Sequence, residues 1–161
     1  MRRDDFERLY EEHAQPLFGF LAYRTGDQAL AEDLLADTFE RALKARKRFD
    51  RRKASEKTWL YAIALNLLRD NARRSRTEAR ALERLPHETG GGPPDQLAAV
   101  EHRDQVQRAL TILSDEEREA IALRFGGDLT VPEIAKLLKQ PLPRVEGRVY
   151  RSLRKLRDEL D

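Results

Sequence analysis

Near the end of the chain, Arg144, Arg148 and Arg151 stand three or four residues apart, a spacing that places them on one side of a helix. A helix fits the major groove of DNA, where arginines reach guanine edges or phosphates. Glu146 could accept a hydrogen bond from cytosine. Gly147 costs roughly 1 kcal/mol inside a helix relative to alanine. A close approach to DNA would account for it, and so would drift at an exposed site. A solvated basic face on an ordinary helical hairpin is the plainer alternative. A second stretch, WLYAIALNLLRDNARRSR at 59–76, is almost wholly apolar over its first seven residues and carries four arginines in its last eight. Asn66 sits where the apolar run breaks. Together with the basic loop RFDRRKASEK at 48–57, this suits nucleic acid with exposed bases: arginines hold the backbone while an amide reads a base edge. From the residues alone, Asn66 bonding neighbouring helices is the simpler reading, and Trp59 suits a core better than a stacking platform.

Charge is segregated along a chain whose formal net charge is only +2. From Asp27 to Glu40 there are five acids and no base, whereas Arg41 to Lys57 holds nine bases and two acids. Six bases and one acid lie between Arg144 and Arg157. Such segregation speaks of partners more than the total does. The acidic stretch, with Glu32, Asp33, Asp37 and Glu40 beside an apolar stripe, repels DNA and suits a protein docking site. A solvated surface is the alternative.

Several chemistries find no residues. The chain has no cysteine, which removes disulfides, thiolate metal sites and cysteine catalysis. The histidines, His13, His87 and His102, lie far apart and outside any metal-ligand spacing. No acid–base constellation stands out, so neither an enzyme nor a cofactor is expected. The longest apolar run, Trp59 to Leu65, is too short to span a bilayer. The N-terminus turns acidic where a signal peptide would turn apolar. A soluble, cytoplasmic protein without membrane insertion is expected.

These side chains need helices to position them. Runs of β-branched residues in alternation are absent, and 37% of residues are charged, which suits thin all-α layers. Phe6, Leu9, Tyr10, Leu17, Phe18 and Leu21 predict a helix from about Asp4 to Arg24. Gly26-Asp27 breaks it, with Asp27 placed to cap the next helix. That helix carries Leu30, Leu34, Leu35, Phe39 and Leu43 on one stripe. Ser55 can cap a third helix, on which Trp59, Ile63 and Leu67 share a face. Residues 77–96 lose periodicity and contain GGGPP, so Pro86 to Asp95 reads as a flexible tether. Beyond it, a helix is expected from Leu97 to Leu113. Ser114 with Glu117, and Thr130 with Glu133, have capping-box spacing. The helix after Ser114 should end at Gly126-Gly127. A short helix and then a basic one, with Val145, Val149, Leu153, Leu156 and Leu160 on its buried side, give a helix-turn-helix layout.

In order, AEDLLADTFERAL, TWLYAIALNLLRDNARR, LSDEEREAIALRF, VPEIAKLL and VEGRVYRSLRKLRDEL resemble the extracytoplasmic-function (group IV) sigma factors of bacterial RNA polymerase, in the sigma-70 family. The resemblance covers everything but the linker. It implies two small helical domains: a three-helix region 2-like bundle at 1–78, a flexible linker at 79–96 and a region 4-like helix-turn-helix domain at 97–161. It implies docking on the polymerase core, at the β′ coiled coil and β flap, with Asp33, Leu34, Asp37 and Glu40 on the helix that meets β′. The loop from about Asp50 to Lys57, with Arg51, Arg52, Lys53, Ser55 and Lys57, would pocket a base flipped from the −10 element. Asn66, Asp70, Arg73 and Arg74 would read the same element. Arg144, Glu146, Gly147, Arg148 and Arg151 would read the −35 element as duplex.

Two departures bear on this carry-over. The turn QPLPR holds two prolines and lacks the usual glycine, and Gly147 replaces a polar residue. Extra regions of the larger sigma factors and a C-terminal sensory domain are not seen, so control is expected from a separate partner, an anti-sigma factor. Against the initiation factor stand two other functions. A free-standing helix-turn-helix regulator would bind duplex operator unaided and need no acidic docking face. A nucleic-acid enzyme would need a metal cluster or an acid–base pair in a pocket.

Overall fold

A computed structural model of the chain describes residues 1–81 and 105–160. The tether expected at Pro86 to Asp95, and the first part of the helix expected from Leu97, fall outside those residues. Among the described residues all regular structure is helical, as the charge-rich, strand-poor sequence demands. Helices α1 (Arg3–Thr25), α2 (Gln28–Ala45) and α3 (Glu56–Ala81) form the first module, with a 3-10 turn at Arg46–Arg48. The second holds α4 (105–111), α5 (Asp115–Ile121), α6 (Val131–Leu138) and α7 (Leu142–Leu160). A π turn, Ala122–Gly126, continues α5. α3 stays helical to Ala81, past both the loss of apolar periodicity at 77 and the expected domain boundary at 78. A periodicity signal ends where burial ends, but an exposed polar helix can run on.

Local chemistry sets the breaks. Gly26 takes the left-handed conformation (φ 70°) and its N–H donates to the Ala22 carbonyl, closing α1. One residue on, the Asp27 side chain accepts from the Leu30 N–H at 3.1 Å, opening α2. Ser55 Oγ accepts from the Thr58 N–H at 3.1 Å at the start of α3. Both expected capping boxes form: Ser114 with Glu117, and Thr130 with Glu133.

In the first module, the Phe39 ring meets Tyr10 and Phe6 edge-on, at 4.8 and 6.2 Å between centroids. Trp59 is half-buried against Phe49 at 5.0 Å, a packing role. In the second module, Ile134, Leu129, Val145 and Leu123 are fully buried. The stripe expected on α7 divides. Val145 and Val149 face inward, but Leu153 and Leu160 are exposed and line an open apolar groove with Val106, Leu110, Phe125 and Leu156. Ser152 replaces them in the core, its hydroxyl donating to the Arg148 carbonyl.

The modules also pack on each other, and their buried residues form one continuous cluster. α1 crosses the π turn where Gly19 meets Gly126: a Cβ on Gly19 would lie 2.7 Å from the Gly126 carbonyl oxygen. Beside this crossing the buried Tyr61 hydroxyl donates to the Gly127 carbonyl at 3.1 Å. Burial, helped by the charges of Asp128 and Glu133, pushes the Tyr61 hydroxyl far above its ordinary pKa, so it remains a donor.

Candidate nucleic-acid interface

Three surfaces carry the residues expected to bind. On α3 the buried row is Leu60, Tyr61, Ala64, Leu65, Leu67 and Leu68, which leaves Asn66 facing out. Its amide bonds no described residue and is exposed, against the simpler reading in which it ties neighbouring helices together. Arg73 and Arg74 are exposed beyond it, and Asp70, half-buried, sits 4.0 Å from Arg73. The helix therefore presents an amide followed by a cationic end on a backbone anchored by the core.

The loop before α3 is only partly free. Arg51, Arg52 and Lys53 are exposed. Arg51 approaches Glu56 at 3.4 Å, and Asp50 accepts from the Arg52 N–H. Ser55 is engaged as the cap of α3. Lys57 turns away to the second module, its ammonium 3.3 Å from the Asp128 carbonyl and 3.4 Å from the Glu133 carboxylate. Burial raises the Glu133 pKa, but the Thr130 N–H and Lys57 outweigh it and hold the carboxyl below its ordinary range.

His13 sits beside this ion pair. Burial lowers its pKa against the pull of Glu12, whose carboxylate lies 3.8 Å away; Lys57 lowers it further, while Glu56 and Glu133 raise it. The fold thus favours neutral imidazole. Its contribution to stability is full above the unfolded value of about 6.5 and is lost as pH falls through the lowered folded value. Thermal unfolding between pH 7.5 and 5.5 should show a larger fall in Tm for the wild type than for His13→Gln. Equal falls would mean that other groups carry the pH dependence.

On α7, Arg144, Glu146 and Arg151 are exposed. A Cβ on Gly147 would meet only the tip of the Arg151 side chain, at 3.0 Å, so packing within the chain does not demand this glycine. Arg148 corrects the expectation of one arginine face. It is 7% exposed, donates to Gln140 Oε1 at 2.7 Å and lies 3.7 Å from the Glu116 carboxylate. It follows Val145 by three residues and precedes Ser152 by four, so it belongs to the buried row. Sequence reasoning missed Tyr150, 66% exposed beside Arg151. The available signal was its place outside the valine and leucine stripe.

The acidic face of α2 is exposed at Glu32, Asp33, Asp37 and Glu40, with Glu40 paired to Lys44 at 3.0 Å. Leu34 does not join it. At 4% exposure it packs in the core, because the residue after Asp33 on a helix turns about 100° toward the interior.

This arrangement has known counterparts. The family described as sigma-70 region 2 matches residues 9–78, and that described as sigma-70 region 4 matches 103–156. The extracytoplasmic-function RNA polymerase sigma factor SigX of Bacillus subtilis (strain 168) is 32% identical over 98% of the chain and 84% of its own length. BldN of Streptomyces coelicolor, another of that class, is 31% identical over 95% of the chain; the match spans 59% of BldN. A solved structure of CnrH in complex with the cytosolic domain of CnrY superposes with a TM-score of 0.74, at 27% identity, over 99% of this chain and 90% of that one. Two sigma modules in the right order, with full-length relatives above 30% identity, settle the family. The chain belongs to the extracytoplasmic-function sigma factors of the sigma-70 family.

Proposed function

We propose that the chain is a transcription initiation factor that binds core RNA polymerase and directs it to −10 and −35 promoter elements, helping to open the −10 region. The observation that carries the reading is the pairing of a sigma region 2 with a sigma region 4 on one chain. Neither module is needed in that order by a free-standing regulator. Asp33, Asp37 and Glu40 form the face for β′, and the region 4 module meets the β flap. Arg51, Arg52, Lys53 and Lys57 hold the −10 strand near its flipped base, with Asn66, Arg73 and Arg74 along it. Arg144, Glu146 and Arg151 face the −35 duplex, with Tyr150 beside them. No helix among the described residues is long and apolar enough to cross a membrane, and the work belongs in the cytoplasm with the polymerase and DNA. A separate anti-sigma factor is the regulating partner, supported by the CnrH fold, which is solved with a second protein bound.

The test is co-elution of the full chain with bacterial core polymerase, followed by promoter-dependent transcription with the reconstituted enzyme. Core recovered without the chain would overturn the proposal. Within it, Asn66→Ala should reduce promoter opening about 5- to 150-fold, the equivalent of 1–3 kcal/mol for one amide–base contact, with core co-elution intact. Loss of both would make Asn66 structural.

A further inference from the structure

The seam between the modules has no part in reading DNA, yet it is built with care. Gly19 and Gly126 let two backbones touch: a Cβ on either would lie 2.7 or 2.8 Å from the other's carbonyl oxygen. Tyr61, fully buried, donates its hydroxyl across the seam to Gly127. Lys57 reaches over to Glu133 and the Asp128 carbonyl, and Arg69 to Glu119 at 3.5 Å. The seam therefore has a packed centre, a buried hydrogen bond and ion pairs at its rim.

This closed form is too small for the work proposed above. A compact body of 161 residues has a radius of gyration of about 15 Å and so spans about 40 Å. Elements named −10 and −35 lie about 25 base pairs apart, or about 85 Å of duplex at 3.4 Å per step. Both cannot be touched at once while the seam is shut. Lys57 adds a second conflict, because an ammonium held by Glu133 is not available to a phosphate.

We infer that the seam is an autoinhibitory contact: the free chain rests closed, and binding to core polymerase and promoter requires the modules to part. The inference rests on the sigma-factor reading. A binding-competent form that is only fractionally populated lowers apparent affinity by that fraction. Loosening the seam should therefore tighten binding without any new contact.

Gly19→Ala is the direct test. In α1 alone the substitution favours the helix, so the first module keeps its fold, while the methyl group meets the Gly126 carbonyl and wedges the seam. Solution X-ray scattering of the full chain should find the wild type compact and Gly19→Ala larger in radius of gyration by several ångströms. Apparent affinity for core polymerase should rise at least threefold. An expanded wild type, an equally compact Gly19→Ala, or expansion without tighter core binding would each overturn the inference. Scattering needs no polymerase. If neither protein binds core, the sigma reading fails, and the scattering result still decides whether the seam closes the free chain.

Discussion

Asp33→Arg/Asp37→Arg will abolish co-elution with core RNA polymerase while leaving the protein folded. The two carboxylates lie four residues apart on the exposed side of α2, with Glu40 a turn further on. Neither pairs with a described cation, so reversing them breaks no ion pair within the chain. Exposed substitutions of this kind change stability by about 0.5 kcal/mol or less. At a docked face the effect is far larger, because each reversal turns an attraction into a repulsion. Close charge pairs across an interface couple by about 1.5–7 kcal/mol. Even at the low end, two reversals weaken binding by more than about 100-fold. A thermal melt of the double variant supplies the control. Co-elution at the wild-type level would remove α2 from the polymerase interface. Leu34 cannot serve the same purpose: buried in the core, its truncation would cost folding and docking together.

The difference between Asp33 and Leu34 marks where the sequence is legible. Features fixed by neighbours in the chain could be read directly. Gly26-Asp27 and the boxes at Ser114 and Thr130 act over three or four residues, and each forms where its spacing places it. The stripe on α2 was equally readable, and with it the fact that Leu34 belongs inside. Assigning Leu34 to the docking face set a resemblance above that periodicity. Arg148 is a different case. A helical wheel puts it at the border between rows, and its side is decided by Gln140 and Glu116, which only the folded chain brings near. The seam was least visible of all. Gly19 looks like an ordinary tolerated glycine until Gly126 arrives against it, 107 residues later. Tyr61 sits unremarked in an apolar run because its acceptor lies 66 residues on.

Arg148→Ala should destabilise the second module by about 3 kcal/mol, and the source of that cost separates positioning from DNA contact. Glu116 is 77% exposed at its side chain, so water can solvate its carboxylate once the arginine has gone. The penalty therefore falls below that for breaking a fully buried pair, about 3–5 kcal/mol. What remains is the packing of the arginine stem, at about 0.8 kcal/mol per methylene, and a charge-assisted bond to Gln140 of about 1.5–3 kcal/mol. Arg148→Met keeps most of the stem and should recover part of the loss. The decisive reading is the salt dependence of −35 duplex binding by Arg148→Met, at a temperature where the variant is folded. A phosphate contact removed would lower the slope of log affinity against log salt by about one. With its guanidinium turned to Gln140 and Glu116, Arg148 should leave that slope unchanged, whereas Arg144→Ala and Arg151→Ala on the exposed face should lower it. A reduced slope for Arg148→Met would mean that the guanidinium leaves Gln140 for DNA on binding. An unchanged slope with weaker binding would make Arg148 the residue that sets the angle of α7 in the groove.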